Sequence, residues 1–188
     1  MPINNLIAKI DKNSFDKKTG RIGGNIPTIL TGMEQSFENY NFYASFQNPD
    51  NKNKYISVLI PKDYSSMIDE NIYPNCSIKV FSHDLSEESE NENHTIKHLN
   101  KSYITDYCEV ASNEFNFITR AETPLLIQDE PIYYNDLRRD NYSFFIQIDE
   151  DYYPDNLISG NYIFGYGSLY LYRNNDTGII IAGFWQFS

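Results

Sequence analysis

The chain has 188 residues, 16 of them Tyr and 12 Phe, and a formal charge of −11 from 15 basic and 26 acidic side chains. That length suits one domain whose core needs neither metal nor disulfide. The charge excludes the basic footprint of a nucleic-acid binder and argues against an anionic membrane surface as partner. No apolar run reaches the length of a membrane span, and Met1 to Asn5 lacks the blocks of a signal peptide, so a soluble, cytoplasmic protein is expected.

In chain order, Ile3, Leu6, Ile7 and Ile10 fall at helical spacing and predict a short N-terminal helix. Asp11 to Gly20 reads as a polar loop, mildly basic through Lys12, Lys17 and Lys18. Gly23-Gly24-Asn25-Ile26-Pro27 then marks a special turn. From there the pattern is mainly β. Candidate strands are Phe42 to Phe46, Tyr55 to Ile60, Ser77 to Ser82, Tyr103 to Val110 and Phe115 to Ile118. Tyr142 to Ile148, Tyr162 to Phe164, Leu169 to Tyr172 and Ile179 to Phe187 follow. Tyr64 to Glu70 predicts a turn or two of helix. Asp84 to Lys101, with Asp84, Glu87, Glu88, Glu90 and Glu92, reads as a polar surface loop. The fold class is therefore mainly β, α+β with few short helices, in mixed or antiparallel sheets.

The same order of features recurs on either side of that loop. Asn41 to Gln47 and Ser143 to Asp149 are aromatic strands, each after a Pro-containing turn and each followed by a polar segment and another strand. An internally duplicated β-rich unit accounts for this, with related halves at about 21–83 and 121–188 within a single domain, 1–188.

Three pieces of the last third resemble the YwqG-like family of bacterial proteins. They are Phe144-Phe145-Ile146-Gln147-Ile148-Asp149, then Phe164-Gly165-Tyr166-Gly167-Ser168-Leu169-Tyr170-Leu171, then Phe184-Trp185-Gln186. The Gly23-Gly24 turn is similar to an early signature of that family, with one residue more before Pro27. The chain is shorter than the family and lacks its Trp-Pro and Leu-Pro segments. The resemblance implies a duplicated, mostly β fold and no established enzyme activity. Read physically, Gln147 and Gln186 are amides to be satisfied inside apolar strands, and Gly165 and Gly167 are backbone permissions.

Tests for chemistry find no catalytic motif. His94 and His98 stand four apart after Glu90 and Glu92, but in loop-like sequence and without a zinc-protease pattern. Ser168 follows Gly167 without the helix that a nucleophile elbow needs. Cys76 and Cys108 are the only cysteines and form no C-x-x-C motif, so free thiols are expected. No catalytic residue, metal site or cofactor is assigned.

Charge and aromatic content remain. Residues 84–188 carry 18 acidic against six basic side chains, whereas residues 1–83 carry eight against nine. Within the acidic part, Asp149, Glu150, Asp151, Tyr152, Tyr153 and Asp155 combine carboxylates that steer a basic partner with tyrosines that anchor an interface. The expectation is a non-catalytic binding protein: an immunity protein or inhibitor that covers the positive cleft of a basic toxin, for example a nuclease. The alternative is a small-molecule or peptide-binding module of the YwqG-like type, with Tyr166, Tyr170 and Trp185 lining a cleft between the halves.

Overall fold

A computed structural model describes residues 3–14 and 19–188. The strands are β1 (Asn5–Asp11), β2 (Gly20–Ile22), β3 (Tyr40–Asn48), β4 (Asn51–Pro61) and β5 (Lys79–His83), then β6 (Ser102–Val110), β7 (Ile118–Arg120), β8 (Tyr142–Asp149), β9 (Ser168–Asn174) and β10 (Ile180–Gln186). Among the described residues two α-helices accompany them, α1 (Tyr64–Asp69) and α2 (Pro131–Arg139). The strands form one sheet in the order β10-β9-β8-β7-β1-β6-β2-β3-β4-β5, with every pair antiparallel. The two end strands lie against each other. Between α1 and β5 the chain also bonds β10: Trp185 N–H donates to Asn71 O and Tyr73 N–H to Gly183 O. The sheet is thus a nearly closed barrel, which leaves few free edges.

The sheet consists of two four-strand meanders, β2 to β5 and β7 to β10, on either side of the β1–β6 pair. Their registers correspond. Ala44 pairs with Ile22 and Val58, and Ile146 pairs with Arg120 and Leu171. Both central pairs slip register at the same place, between Phe42 and Ala44 and between Phe144 and Ile146. The leading strands are exchanged, for β1 joins β7 and β6 joins β2. One core cluster runs through both meanders, from Ile22, Tyr43 and Phe46 to Phe145, Ile148 and Trp185. Each meander also has a smaller outer cluster. Ile26, Leu30 and Phe37 cover Phe42 and Leu59 on the first, and Leu137 packs with Tyr170, Tyr172 and Phe184 on the second.

Three local expectations are corrected. Residues Asn5–Asp11 form a strand, not a helix, because the segment is paired on both sides, by β6 and β7. Seven residues nucleate a helix poorly on their own, and Ile7 and Ile10 suit a pleated surface. Tyr162 to Phe164 is a turn rather than a strand, held by a buried carboxylate described below. Of Phe115 to Ile118, only Ile118 enters β7. Helix α2 was not anticipated, although Pro131 occupies its first turn and Arg138 and Arg139 its last, as helix ends favour. Of the basic polar loop, Lys17 and Lys18 lie outside the described residues.

Candidate functional site

The acidic-aromatic loop after β8 divides between inside and outside. Asp149 ends the strand and is buried; its carboxylate caps the next turn by accepting from Asp151 N–H at 3.0 Å. Glu150 is 1% exposed. Its Oε1 accepts from Phe164 N–H at 2.8 Å and from the Tyr153 hydroxyl at 2.9 Å. Its Oε2 accepts from Tyr166 N–H at 3.1 Å and Gly167 N–H at 3.3 Å. The Tyr153 hydroxyl also meets that of buried Tyr43 at 2.7 Å. Burial pushes the Glu150 carboxyl up to about 7, against the opposing pull of its N–H and hydroxyl donors, and among the described residues no cation lies in the cluster. Burial likewise raises Asp149. These residues anchor the Phe164 to Gly167 turn. Of the six expected partner-binding residues, only Asp151, Tyr152 and Asp155 are exposed; Asp149 and Glu150 are buried and Tyr153 is half-buried, so they make no continuous docking surface. A sequence shows a run of acids, but which ones turn inward depends on the donors that meet them.

The expected cleft residues also divide. Tyr170 and Trp185 are 0% exposed and cannot line a cleft. Trp185 Nε1–H donates to Met67 O at 2.9 Å inside the barrel. Tyr170, with Gln147 and Gln186, fastens a loop across the outer face of the second meander. Gln147 exchanges two hydrogen bonds with the Leu125 backbone, at 2.9 and 3.0 Å. Gln186 Oε1 accepts from Ile127 and Gln128 N–H, and its Nε2 donates to Gln128 O at 2.7 Å. The two amides act as a strand edge would, satisfying a chain that no strand pairs. Tyr166, in contrast, is 58% exposed and does line a cleft.

Two concavities stand out. The first, of about 590 Å³, lies on the outer face of the first meander and is lined by Gly20, Arg21, Ser45 and Tyr55, by Leu85 to Glu90 and Glu92, and by Lys101 and Tyr103. At its base Arg21 is buried, stacked over Phe42 at 4.5 Å, with its guanidinium donating to Gly23 O at 2.5 Å and to Asn25 O. Burial lowers its pKa to about 10, so it remains a cation at neutral pH. Glu88 joins the base: it pairs with Lys101 at 2.8 Å, approaches Arg21 at 4.0 Å and accepts from Asn25 N–H at 2.8 Å. Burial alone would raise Glu88, but the Lys101, Asn25 and Arg21 contacts prevail and hold it below the usual carboxylate range. Glu87, Glu90 and Glu92 line the same cleft, are exposed, and form no ion pair among the described residues. Nothing in the sequence marked Glu88 out from its acidic neighbours. The second cleft, of about 450 Å³, gathers Ile60 to Lys62, Tyr64, Ile96, His98 and Asn161 to Ile163 around Tyr166.

The histidines and cysteines are placed as follows. His83 Nε2 meets Ser57 Oγ at 2.7 Å and its Nδ1 meets Asp84 O at 2.7 Å. His94 is buried against Phe37, with its Nδ1 on Tyr40 O, and His98 is exposed. Both cysteines are free, and burial pushes the Cys76 thiol up to about 12. Among the described residues no three His, Cys, Asp or Glu side chains come together as metal ligands would. No helix of the described residues is long and apolar enough to cross a membrane. No protein-family model, curated protein or solved structure matches the chain.

Proposed function

We propose that this is a non-catalytic binding protein that captures a basic protein partner, in the manner of a cytoplasmic immunity protein neutralising a basic toxin such as a nuclease. One observation carries the reading: the first cleft presents Glu87, Glu90 and Glu92 without ion pairs among the described residues. Its cations do not cancel them, because Glu88 already faces both Arg21 and Lys101. Carboxylates around a concavity steer and hold a cationic group. Kinship with the YwqG-like proteins belongs to the same proposal and adds no activity to it.

The other meander suggests the shape of the occupant. There Gln147, Tyr170 and Gln186 hold the backbone of Leu125 to Gln128. At the corresponding register positions of the first meander, Ser45, Ser57 and His83 bond to one another instead, and Ser45 lines the open cleft. An extended Lys- or Arg-bearing segment of the partner suits this place. The test is capture from the organism's own lysate by wild-type protein and by a Glu87→Lys, Glu90→Lys, Glu92→Lys variant of unchanged melting temperature. A basic protein retained by the wild type at low salt, and released by both high salt and the variant, is expected. A partner held equally by the variant, or no partner at either salt, would overturn the reading.

A further inference from the structure

The second cleft is chemically unlike the rest of the molecule. Both halves of the chain build it: the end of β4, helix α1 and the Asn161 to Tyr166 segment line it, together with Ile96 and His98. Its base is apolar, since Ile60, Met67, Ile96 and Ile163 are all buried. Its walls are aromatic. Tyr64 is 47% exposed and Tyr166 58%. Tyr166 ends a row of ring contacts that begins inside the protein: Tyr153 stacks on Tyr162 at 5.3 Å and 15°, and Tyr162 meets Tyr166 at 4.2 Å, tilted by 32°. The turn carrying Tyr166 is fixed from below by Glu150, so the wall exists before any ligand arrives.

Charge gives the sign of the occupant. None of the 13 lining residues is Asp or Glu, in a chain with 26 of them. Lys62 and His98 are instead the ionisable groups beside the tyrosines; the Lys62 ammonium spends one hydrogen bond on Glu38 O at 3.0 Å and keeps two N–H donors. A volume of about 450 Å³ lies within the range of small-molecule sites.

We propose that this cleft is a binding site for a small aromatic carboxylic acid, whose ring packs on exposed Tyr166 at the end of the row of tyrosines and whose carboxylate meets Lys62. The hydrocarbon part of such a ligand covers Ile60, Ile96 and Met67. An amine of the same shape finds no carboxylate among the lining residues to replace its lost water, and therefore binds poorly. The site stands apart from the glutamate-lined cleft and does not depend on the reading given to it.

The reporter is built in. Trp185 is the single tryptophan, its ring lies 6.2 Å from that of Tyr64, and its N–H bonds the Met67 carbonyl, so two lining residues touch it. The experiment titrates the full chain with 3-phenylpropionate, with phenethylammonium and with 3-cyclohexylpropionate, following Trp185 emission and, independently, heat by calorimetry. A saturable signal with 3-phenylpropionate is expected, at least about tenfold weaker for the other two ligands. Lys62→Ala is expected to weaken 3-phenylpropionate about tenfold, and Tyr166→Ala by at least as much. Both side chains are exposed, so folding is expected to survive, and Lys62→Ala decides alone if the Tyr166 variant melts early. Equal binding of phenethylammonium, unchanged affinity in Lys62→Ala, or no saturable signal by either method up to about 10 mM would overturn the proposal.

Discussion

The two meanders share register and bulge yet treat the carboxylate that meets a glycine turn in opposite ways. In the first, Glu88 reaches the Gly23-Gly24-Asn25 turn and finds cations, Lys101 at 2.8 Å and Arg21 at 4.0 Å. In the second, Glu150 reaches the Phe164 to Gly167 turn and finds only N–H groups and a tyrosine hydroxyl. The first carboxyl is held below its usual range and the second is pushed up to about 7. At Glu150 the donors do not offset the loss of water, whereas at the less buried Glu88 the Lys101, Asn25 and Arg21 contacts do. The same contrast divides the outer faces. Gln147 and Gln186 close the second meander with the chain's own loop, while short Ser45 and Ser57 leave a cleft on the first.

The largest test of this comparison lies in the glycines of the two turns. A Cβ at Gly167 would come within 1.8 Å of Gln186 O and 2.6 Å of Phe164 O, both backbone atoms that cannot move aside. Gly167→Ala is expected to cost about 4 kcal/mol or more in urea unfolding, or to prevent folding. At Gly24 (φ +81°) the Cβ would meet Glu88 Oε1 at 2.4 Å, the movable end of a side chain. Gly24→Ala should therefore cost less, about 2 kcal/mol, from φ strain and a displaced Glu88. Equal losses would mean that Glu88 gives way no more easily than the Gln186 and Phe164 backbone.

Next comes pH. Glu150 titrates near 7 in the folded protein and near 4.5 unfolded, so between those values the folded state holds the extra proton. Its contribution is fully present below about pH 4.5 and is lost as pH rises through 7; a shift of that size corresponds to about 3 kcal/mol. Glu150→Gln removes this titration, so the difference in stability between wild type and variant should change by about that amount from pH 4.5 to pH 8. A difference independent of pH would place the carboxylate in water rather than in its N–H cradle.

Glu88 gives the smallest effect and the opposite sign. Its folded pKa is depressed, so its contribution is present above the unfolded value and is lost as pH falls through the folded one. Because Glu88 and Lys101 are partly open to solvent, Glu88→Gln is expected to cost about 1 kcal/mol at pH 7 and progressively less below pH 4. A cost that grows on acidification would contradict the ion-pair assignment.

Much of the β architecture was legible in local pattern. Tyr142 to Ile148, Leu169 to Tyr172, Tyr55 to Ile60 and Tyr103 to Val110 all lie in strands, because alternation and β-branching describe how a residue fits a pleated sheet. The corresponding bulges in β3 and β8 fall within the aromatic strands that matched in the sequence. The three-and-four spacing of the N-terminal segment is also compatible with a strand that is paired along both edges and partly buried on each face. The candidate sites were least legible. Aromatic-acidic composition pointed to Asp149 to Asp155, yet Asp149 and Glu150 are buried, and the glutamates that line the first cleft are Glu87, Glu88, Glu90 and Glu92.

The sequence by itself determined the charge, its concentration after residue 83, the β-rich class and the glycine positions where the backbone turns. Those are properties of composition and of neighbours along the chain. Only the tertiary structure decided which carboxylate meets a cation and which meets N–H groups, which tyrosines face inward, and where a concavity is left open. Each of those outcomes depends on residues far apart in sequence, Glu88 with Arg21 or Glu150 with Gly167, whose meeting is set by strand order rather than by local preference.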